Sequence, residues 1–363
     1  MAWAAIAAAL ALAAASTCER GFDGGSEGPL TFEVDITEGD AGTAQSPIPF
    51  SSEPIELGLD IRAVDRDGEL ADWFEGTVHL DVAPRGRLAR GEGRPPEEVT
   101  LSGGVAEGVP VHVERLHGDC SIWVEDVGTE EEPGSWATGL SPTIRVADPT
   151  IRNVQETDLY LSSALKGDFL EVNLEGRIAV VTGVFPDGFY VTDTSEEGYL
   201  WSAAYAYTHS RPDVELGDRI AALSGTADEF YGFTELGFPS WRTEGTADLP
   251  EPVLLTADLV DDNGAMEMYE SGLVELRDVV VCPIGEAYAT YGQWKVLVDP
   301  EGSCGGGGSI DVVSAYTVPG FDPAGRVGES IELVRGNLRY HSSADPGWIV
   351  YARFDGDIVV GGE

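Results

Sequence analysis

Six aromatic side chains between residues 199 and 241 have the type and spacing best suited to chemistry: Tyr199, Trp201, Tyr205, Tyr207, Tyr231 and Trp241. A ring offers a flat apolar face to a sugar or a peptide side chain, and Tyr and Trp add a polar tip. The competing role for such rings is core filling. Tyr205, Tyr207 and His209 fall in a stretch that reads as a loop between strands, so these three are the ones expected at the surface. The other reactive types do not assemble. The five histidines, His79, His112, His117, His209 and His341, form no His-Glu-x-x-His pair. Walker loop and dinucleotide fingerprint are both missing. The cysteines show no Cys-x-x-Cys spacing, which argues against zinc. Carboxylate pairs can always be found among 64 Asp and Glu, so a glycosidase assignment needs geometry that a sequence does not carry. No catalytic residue, metal ligand or cofactor is assigned.

Charge excludes further classes. Lys plus Arg is 21 and Asp plus Glu is 64, so the net charge is 21 − 64 = −43 over 363 residues. The acidity is spread out, at −19, −11 and −13 over residues 1–150, 151–250 and 251–363. Nucleic-acid binding draws on Lys and Arg that neutralise phosphates, and no region here supplies them. The same charge repels anionic lipid surfaces. A solvated acidic surface is the plain reading, with a distributed Ca²⁺-binding surface as the lesser one. Asp65-Arg66-Asp67-Gly68 could pass for part of a calcium loop. It fails, because Ala63 and Phe74 stand where that loop needs acids. A tight turn between strands accounts for it better.

The N-terminus points outward from the cell. Residues 2–15 are apolar and uncharged but too few to span a bilayer, which takes roughly 20. They match the apolar core of a secretory signal. The basic segment usual before it is missing, which suggests a start upstream of Met1. Cys18 follows at once, in Leu12-Ala13-Ala14-Ala15-Ser16-Thr17-Cys18-Glu19, a run that resembles the lipobox of bacterial lipoproteins. There the cysteine carries the lipid and begins the mature chain, so the resemblance implies residues 1–17 as signal peptide and lipidation at Cys18. Residues 18–28 then read as a flexible tether. An exported chain can form disulfides. Cys282 and Cys304 lie in one candidate domain and are expected to pair. Cys120, in a strand-like run, is expected as a small buried hydrophobe.

The elements that must position these residues are strands. Alternating and β-branched runs dominate, broken by Gly, Pro, Asp and Asn. About seven short strands over residues 29–148 predict a β-sandwich. With Phe74-Glu75-Gly76-Thr77-Val78 and Leu101-Ser102-Gly103-Gly104-Val105-Ala106, this region resembles bacterial Ig-like surface domains. Residues 149–166 read as a polar linker that opens at Pro149. Residues 167–250 carry a long strand, Val172–Val184, with a glycine inside it. Strands then follow at Gly188–Asp193, Gly198–Trp201, Val214–Gly225 and Phe230–Leu236. The order of Gly-Phe-Tyr-Val-Thr-Asp, Gly-Asp-Arg-Ile and an aromatic strand resembles the OB-fold barrels of secreted nuclease-associated bacterial proteins. The matching residues form the barrel, so the resemblance implies fold and no activity. Residues 251–363 repeat the pattern, with Gly272–Val281, Trp294–Asp299, Val327–Leu333 and Trp348–Arg353 as counterparts.

The expected chain is therefore all-β: an Ig-like sandwich, then two OB-like barrels, exported and lipid-anchored in a bacterial envelope. Its expected role is a non-enzymatic binding or display module whose partner is an envelope protein or a glycan. One alternative is an accessory binder of carbohydrate or peptide that uses the aromatics of the first barrel, with Ca²⁺ assisting. The other is a hydrolase with an acidic site that carries no motif.

Overall fold

The computed structural model describes residues 31–361, apart from 92, 96, 129–133, 158–160 and 343–346. The signal, the tether and Cys18 lie outside the described residues. The chain is all-β and divides into two compact units, Met1–Val146 and Ala147–Glu363.

The first unit is a sandwich. Its strands are β1 (Thr31–Glu38), β2 (Ile55–Val64), β3 (Gly76–Ala83), β4 (Arg87–Leu88), β5 (Glu98–Leu101), β6 (Val105–Glu114), β7 (Gly118–Glu125), β8 (Thr138–Leu140) and β9 (Ile144–Val146). One half runs β4-β6-β2-β1 and the other β8-β7-β3-β5, with β9 on β7. The halves join where Thr31 lies beside Thr138 and, at the turn from β5 to β6, where Ser102 bridges Val105. Alternation explains the core: Val78, Leu80 and Val82 of β3 turn inward against Leu59, Ile61 and Val111 from the other half. Cys120 is buried in this core, and burial raises its thiol pKa. Asp65 caps its turn by accepting from the backbone N–H groups of Asp67 and Glu69.

The second unit holds two barrels. The first contains β10 (Phe169–Glu171), β11 (Ala179–Phe185), β12 (Gly188–Asp193), β13 (Ala203–Tyr207), β14 (Asp218–Glu229) and β15 (Thr234–Thr246). The second contains β16 (Val253–Leu254), β17 (Leu273–Val281), β18 (Gln293–Leu297), β19 (Ser309–Val313), β20 (Ser330–His341), β21 (Gly347–Tyr351) and β22 (Ile358–Val360). The first closes in the order β11-β12-β13-β15-β14-β11, and the second in the order β17-β18-β19-β21-β20-β17. In each, one ring pair is parallel, β13 with β15 and β19 with β21, and the other ring pairs are antiparallel. The two rings thus share one connectivity, that of a small closed Greek-key barrel. Cys282 and Cys304 form a disulfide across the glycine-rich loop of the second barrel.

Three local readings are corrected. The described residues of 149–166 include ones that pack against the first barrel. The stretch contains α1 (Ile151–Gln155), capped by Thr150, with Ile151 and Val154 buried and Gln155 Nε2 donating to Ala203 O. Its polar residues are spent on capping and internal hydrogen bonds, which composition does not reveal. The third strand of the first barrel is β13, and Tyr199 and Trp201 sit in the turn before it with left-handed backbones. Likewise Phe230–Gly232 is a turn, and the fifth strand starts at Thr234.

The barrels meet through their outer faces. A β-bulge between Val181 and Gly183 redirects Thr182. Asn337 Nδ2 donates to Thr182 Oγ1 and to Ser271 O. Arg353 donates through Nη1 to Thr182 O, and through Nε and Nη2 to both carboxylate oxygens of Asp357. This ion pair is buried, so its partners depend on each other. A Cβ at Gly183 would drive into the Asn337 amide. Gly183→Val is therefore expected to destabilise the second unit by about 2 kcal/mol, and Asp357→Asn by about 3 kcal/mol through the stranded guanidinium. Urea unfolding followed by near-UV circular dichroism checks both; unchanged midpoints would refute the account of this contact.

Candidate functional site

Two rows of residues face each other across the barrel contact. In the first barrel, register places Gly183 beside Tyr190, Tyr190 beside Tyr205, and Tyr205 beside Glu235, across β11, β12, β13 and β15. In the second, Asn337 lies beside Tyr351 and Tyr351 beside Val313, across β20, β21 and β19. Alternation along β20 sends Leu338 and Tyr340 into the second barrel's core and turns Asn337 and Arg339 outward to the first barrel. A cleft of about 400 Å³ opens at this junction, lined by Phe185, Asp187, Tyr190, Tyr205, Arg339 and Tyr351, with Val313, Tyr316 and Thr317 completing the wall. That volume suits a small ligand.

Arg339 is the unusual member. Its guanidinium carbon lies 4.5 Å from the Phe233 ring centre, 5.7 Å from Tyr205 and 5.8 Å from Tyr351. Cation–π contact holds it there. Its Nε has no acceptor, and no side-chain hydrogen bond of Arg339 is formed among the described residues. An arginine cannot shed its proton to escape this cost. Its free donors and the cleft therefore belong together. Asp187 supplies the matching acceptor: Tyr205 Oη donates to Asp187 Oδ1 at 2.8 Å. Gly188 permits this, because a Cβ there would meet the Tyr205 ring. Tyr190 and Tyr205 pack at 4.6 Å between ring centres, and Phe185 meets Tyr190 at 5.4 Å and Tyr351 at 6.0 Å. Burial raises the phenol pKa values of Tyr190, Tyr205 and Tyr351, so all three stay neutral donors at ordinary pH.

The six aromatics expected from sequence are not one face. Tyr205 lines the cleft, but it is only 2% exposed and lies on a strand, a correction to the loop reading. Tyr207 is half-buried and follows it at 6.5 Å, with His209 4.3 Å further on. Trp201 is half-buried, and its backbone N–H donates to Met268 O. Tyr199 is half-buried in the same turn. Tyr231 is 53% exposed and stacks on His341. Trp241 packs edge-on against Phe189 and lines a separate groove with Glu171, Glu175 and Arg242. Sequence reasoning missed Arg339, Asp187, Tyr190 and Tyr351. The one available signal was Arg339 itself, a cation between apolar neighbours on a strand of an acidic chain. Arg177 pairs with Asp193 and Glu196, each at 2.6 Å.

Carboxyls cluster beside the site. Before β17 run α2 (Ala257–Val260) and α3 (Asn263–Glu267). Glu267 at the end of α3, Glu270 just after it and Glu229 of β14 are close enough to perturb one another. Glu229 Oε1 accepts from Ser163 N and Thr234 Oγ1, and Glu270 Oε2 from Thr234 N. One oxygen of each of the three carboxyls lacks a donor among the described residues. Burial is the main cause that lifts all three pKa values, Glu267 to about 7. Burial also lifts Glu235 to about 7, against the opposing field of Arg339. No group of three His, Cys, Asp or Glu is arranged to hold a metal ion among the described residues.

These raised values have a consequence for stability. Between the ordinary carboxyl value and about pH 7 the folded chain holds protons that the unfolded chain releases, so stability falls as pH rises through that window. The melting temperature of the second unit is expected to drop by roughly 5 °C from pH 5 to pH 8, and Glu267→Gln to flatten that slope. Calorimetry at several pH values checks this; a melting temperature that rises over the window contradicts it.

No protein-family model matches the chain. No curated protein matches it either. Among solved structures, dimeric latent PorU from Porphyromonas gingivalis is similar at 12% identity and a TM-score of 0.20, over 89% of this chain and 34% of that one. A Bacteroides ovatus surface glycan-binding protein, SGBP-B of a mixed-linkage glucan utilization locus, solved with a mixed-linkage heptasaccharide, is similar at 11% identity and a TM-score of 0.20, over 88% and 70%. The chain spans about a third of the PorU chain. At that TM-score neither likeness bears on what this chain does.

Proposed function

We propose that the chain is a non-enzymatic binding protein of a bacterial envelope, held there by a lipid on Cys18, and that its ligand is a carbohydrate seated in the cleft between the two barrels. The observation that carries the site is Arg339, a fixed cation clamped by three rings with its donors unspent at a cleft. A sugar matches this lining. Its C–H face packs on tyrosine rings, and its hydroxyls accept from Arg339 and donate to Asp187. The mature N-terminus is expected to begin at a lipid-modified Cys18; mass spectrometry finding an unmodified residue there would remove the anchor from the proposal.

A hydrolase needs two carboxyls at the reacting bond. Asp187 lines the cleft, whereas Glu235, with a pKa suited to acid catalysis, stays buried and does not line it. Calorimetric titration with glucose, cello-oligosaccharides and malto-oligosaccharides is expected to show binding in at least one series without cleavage. Arg339→Met is expected to weaken it at least tenfold, about 1.4 kcal/mol. Full affinity in Arg339→Met, with the fold intact, would move the site elsewhere. Reducing ends released during the titration would make the chain an enzyme.

A further inference from the structure

A line of rings leaves the cleft and runs to the surface. Tyr205 lines the cleft; Tyr207 lies 6.5 Å from it, His209 4.3 Å beyond that, and Phe238 5.0 Å beyond His209. Tyr205 and Tyr207 share a face of β13, being two residues apart. His209 and Phe238 both hold left-handed backbones, at φ of 60° and 49°. An aromatic residue rarely adopts that conformation, and it costs of order 1 kcal/mol. Phe238 is also 78% exposed, the most exposed large apolar side chain among the described residues. Its backbone belongs to the β-bulge of the β14–β15 pair, where Gly237 lies beside Thr226 and Ser240 beside Ser224. Core packing does not explain its exposure: the bulge aims the ring outward and against His209, at the end of a row that starts in the cleft.

We infer that the cleft is the inner end of an extended track, and that the ligand is an uncharged oligosaccharide of several units, one unit at Arg339 and the next ones along Tyr207, His209 and Phe238. This rests on the reading of the cleft as a carbohydrate site. The rings touch one another and so form a continuous aromatic strip that a chain of several units can follow. Charge selects an uncharged chain. Asp187 lines the cleft with Arg339, and the protein as a whole carries −43. An acidic glycan would meet the Asp187 carboxylate at the cleft and the repulsive field of a strongly acidic chain.

The test is calorimetric titration of the intact chain with glucose and with cello- and malto-oligosaccharides of two to six units, alongside oligogalacturonates of matching length. Affinity is expected to rise at least tenfold from one to four units in one neutral series, and the oligogalacturonates to bind more weakly. Phe238→Asn, which suits a left-handed backbone, is expected to lower the tetramer-to-monomer affinity ratio about tenfold. His209→Ala acts in the same direction as a second variant. Binding of neutral sugars with no gain from length, or an unchanged ratio in both variants, overturns the track while the cleft stands. Tighter binding of oligogalacturonates overturns the choice of an uncharged ligand. No binding of any sugar removes the carbohydrate reading of the cleft, and the track with it.

Discussion

A glycine in β11 and an asparagine in β20 set how closely the two barrels can approach. Where Gly183 leaves no side chain, Asn337 reaches Thr182, and Arg353 reaches the Thr182 carbonyl while pairing with Asp357. These bonds are buried, so their geometry is strict: each polar group must find its partner or lose stability. The contact is therefore fixed in register, and fixed register holds Tyr190, Tyr205 and Glu235 opposite Arg339 and Tyr351. The cleft is the part of this face-to-face contact that side chains do not fill.

Filling it with protein would have been the more stable course. Instead a guanidinium sits among aromatic rings with unmade hydrogen bonds, and carboxyls are buried behind it at raised pKa values. Such departures from a satisfied interior concentrate where a protein does something other than fold. The packed ion pair of Arg353 and Asp357 is the useful contrast. It lies at the same contact with its donors met, and it needs no ligand to account for it.

Much of the architecture was legible in the sequence. Period-two alternation broken by glycine and acidic turns gave the strands of the sandwich. The repeated order of long strand, aromatic strand and Gly-initiated strand corresponds to two rings of one connectivity. The site was less legible. Tyr205 and Tyr207 were found by type, but alternation in β13 was masked by alanines on both faces, so a buried strand read as an exposed loop. Trp201 was read as strand because its left-handed backbone leaves no mark on composition. Arg339 acquires its meaning from rings more than 100 residues earlier in the chain, and one sequence does not carry that pairing. Gly183 was visible as a glycine within a strand; its reason, Asn337, was not.

The decisive measurement is a crystal structure of the chain soaked with the tightest-binding neutral oligosaccharide. The expected result is a sugar unit against Tyr205 and Tyr351, with hydroxyls within hydrogen-bond distance of Arg339 and Asp187. A ligand found in the groove beside Trp241, with the cleft unchanged, would contradict it.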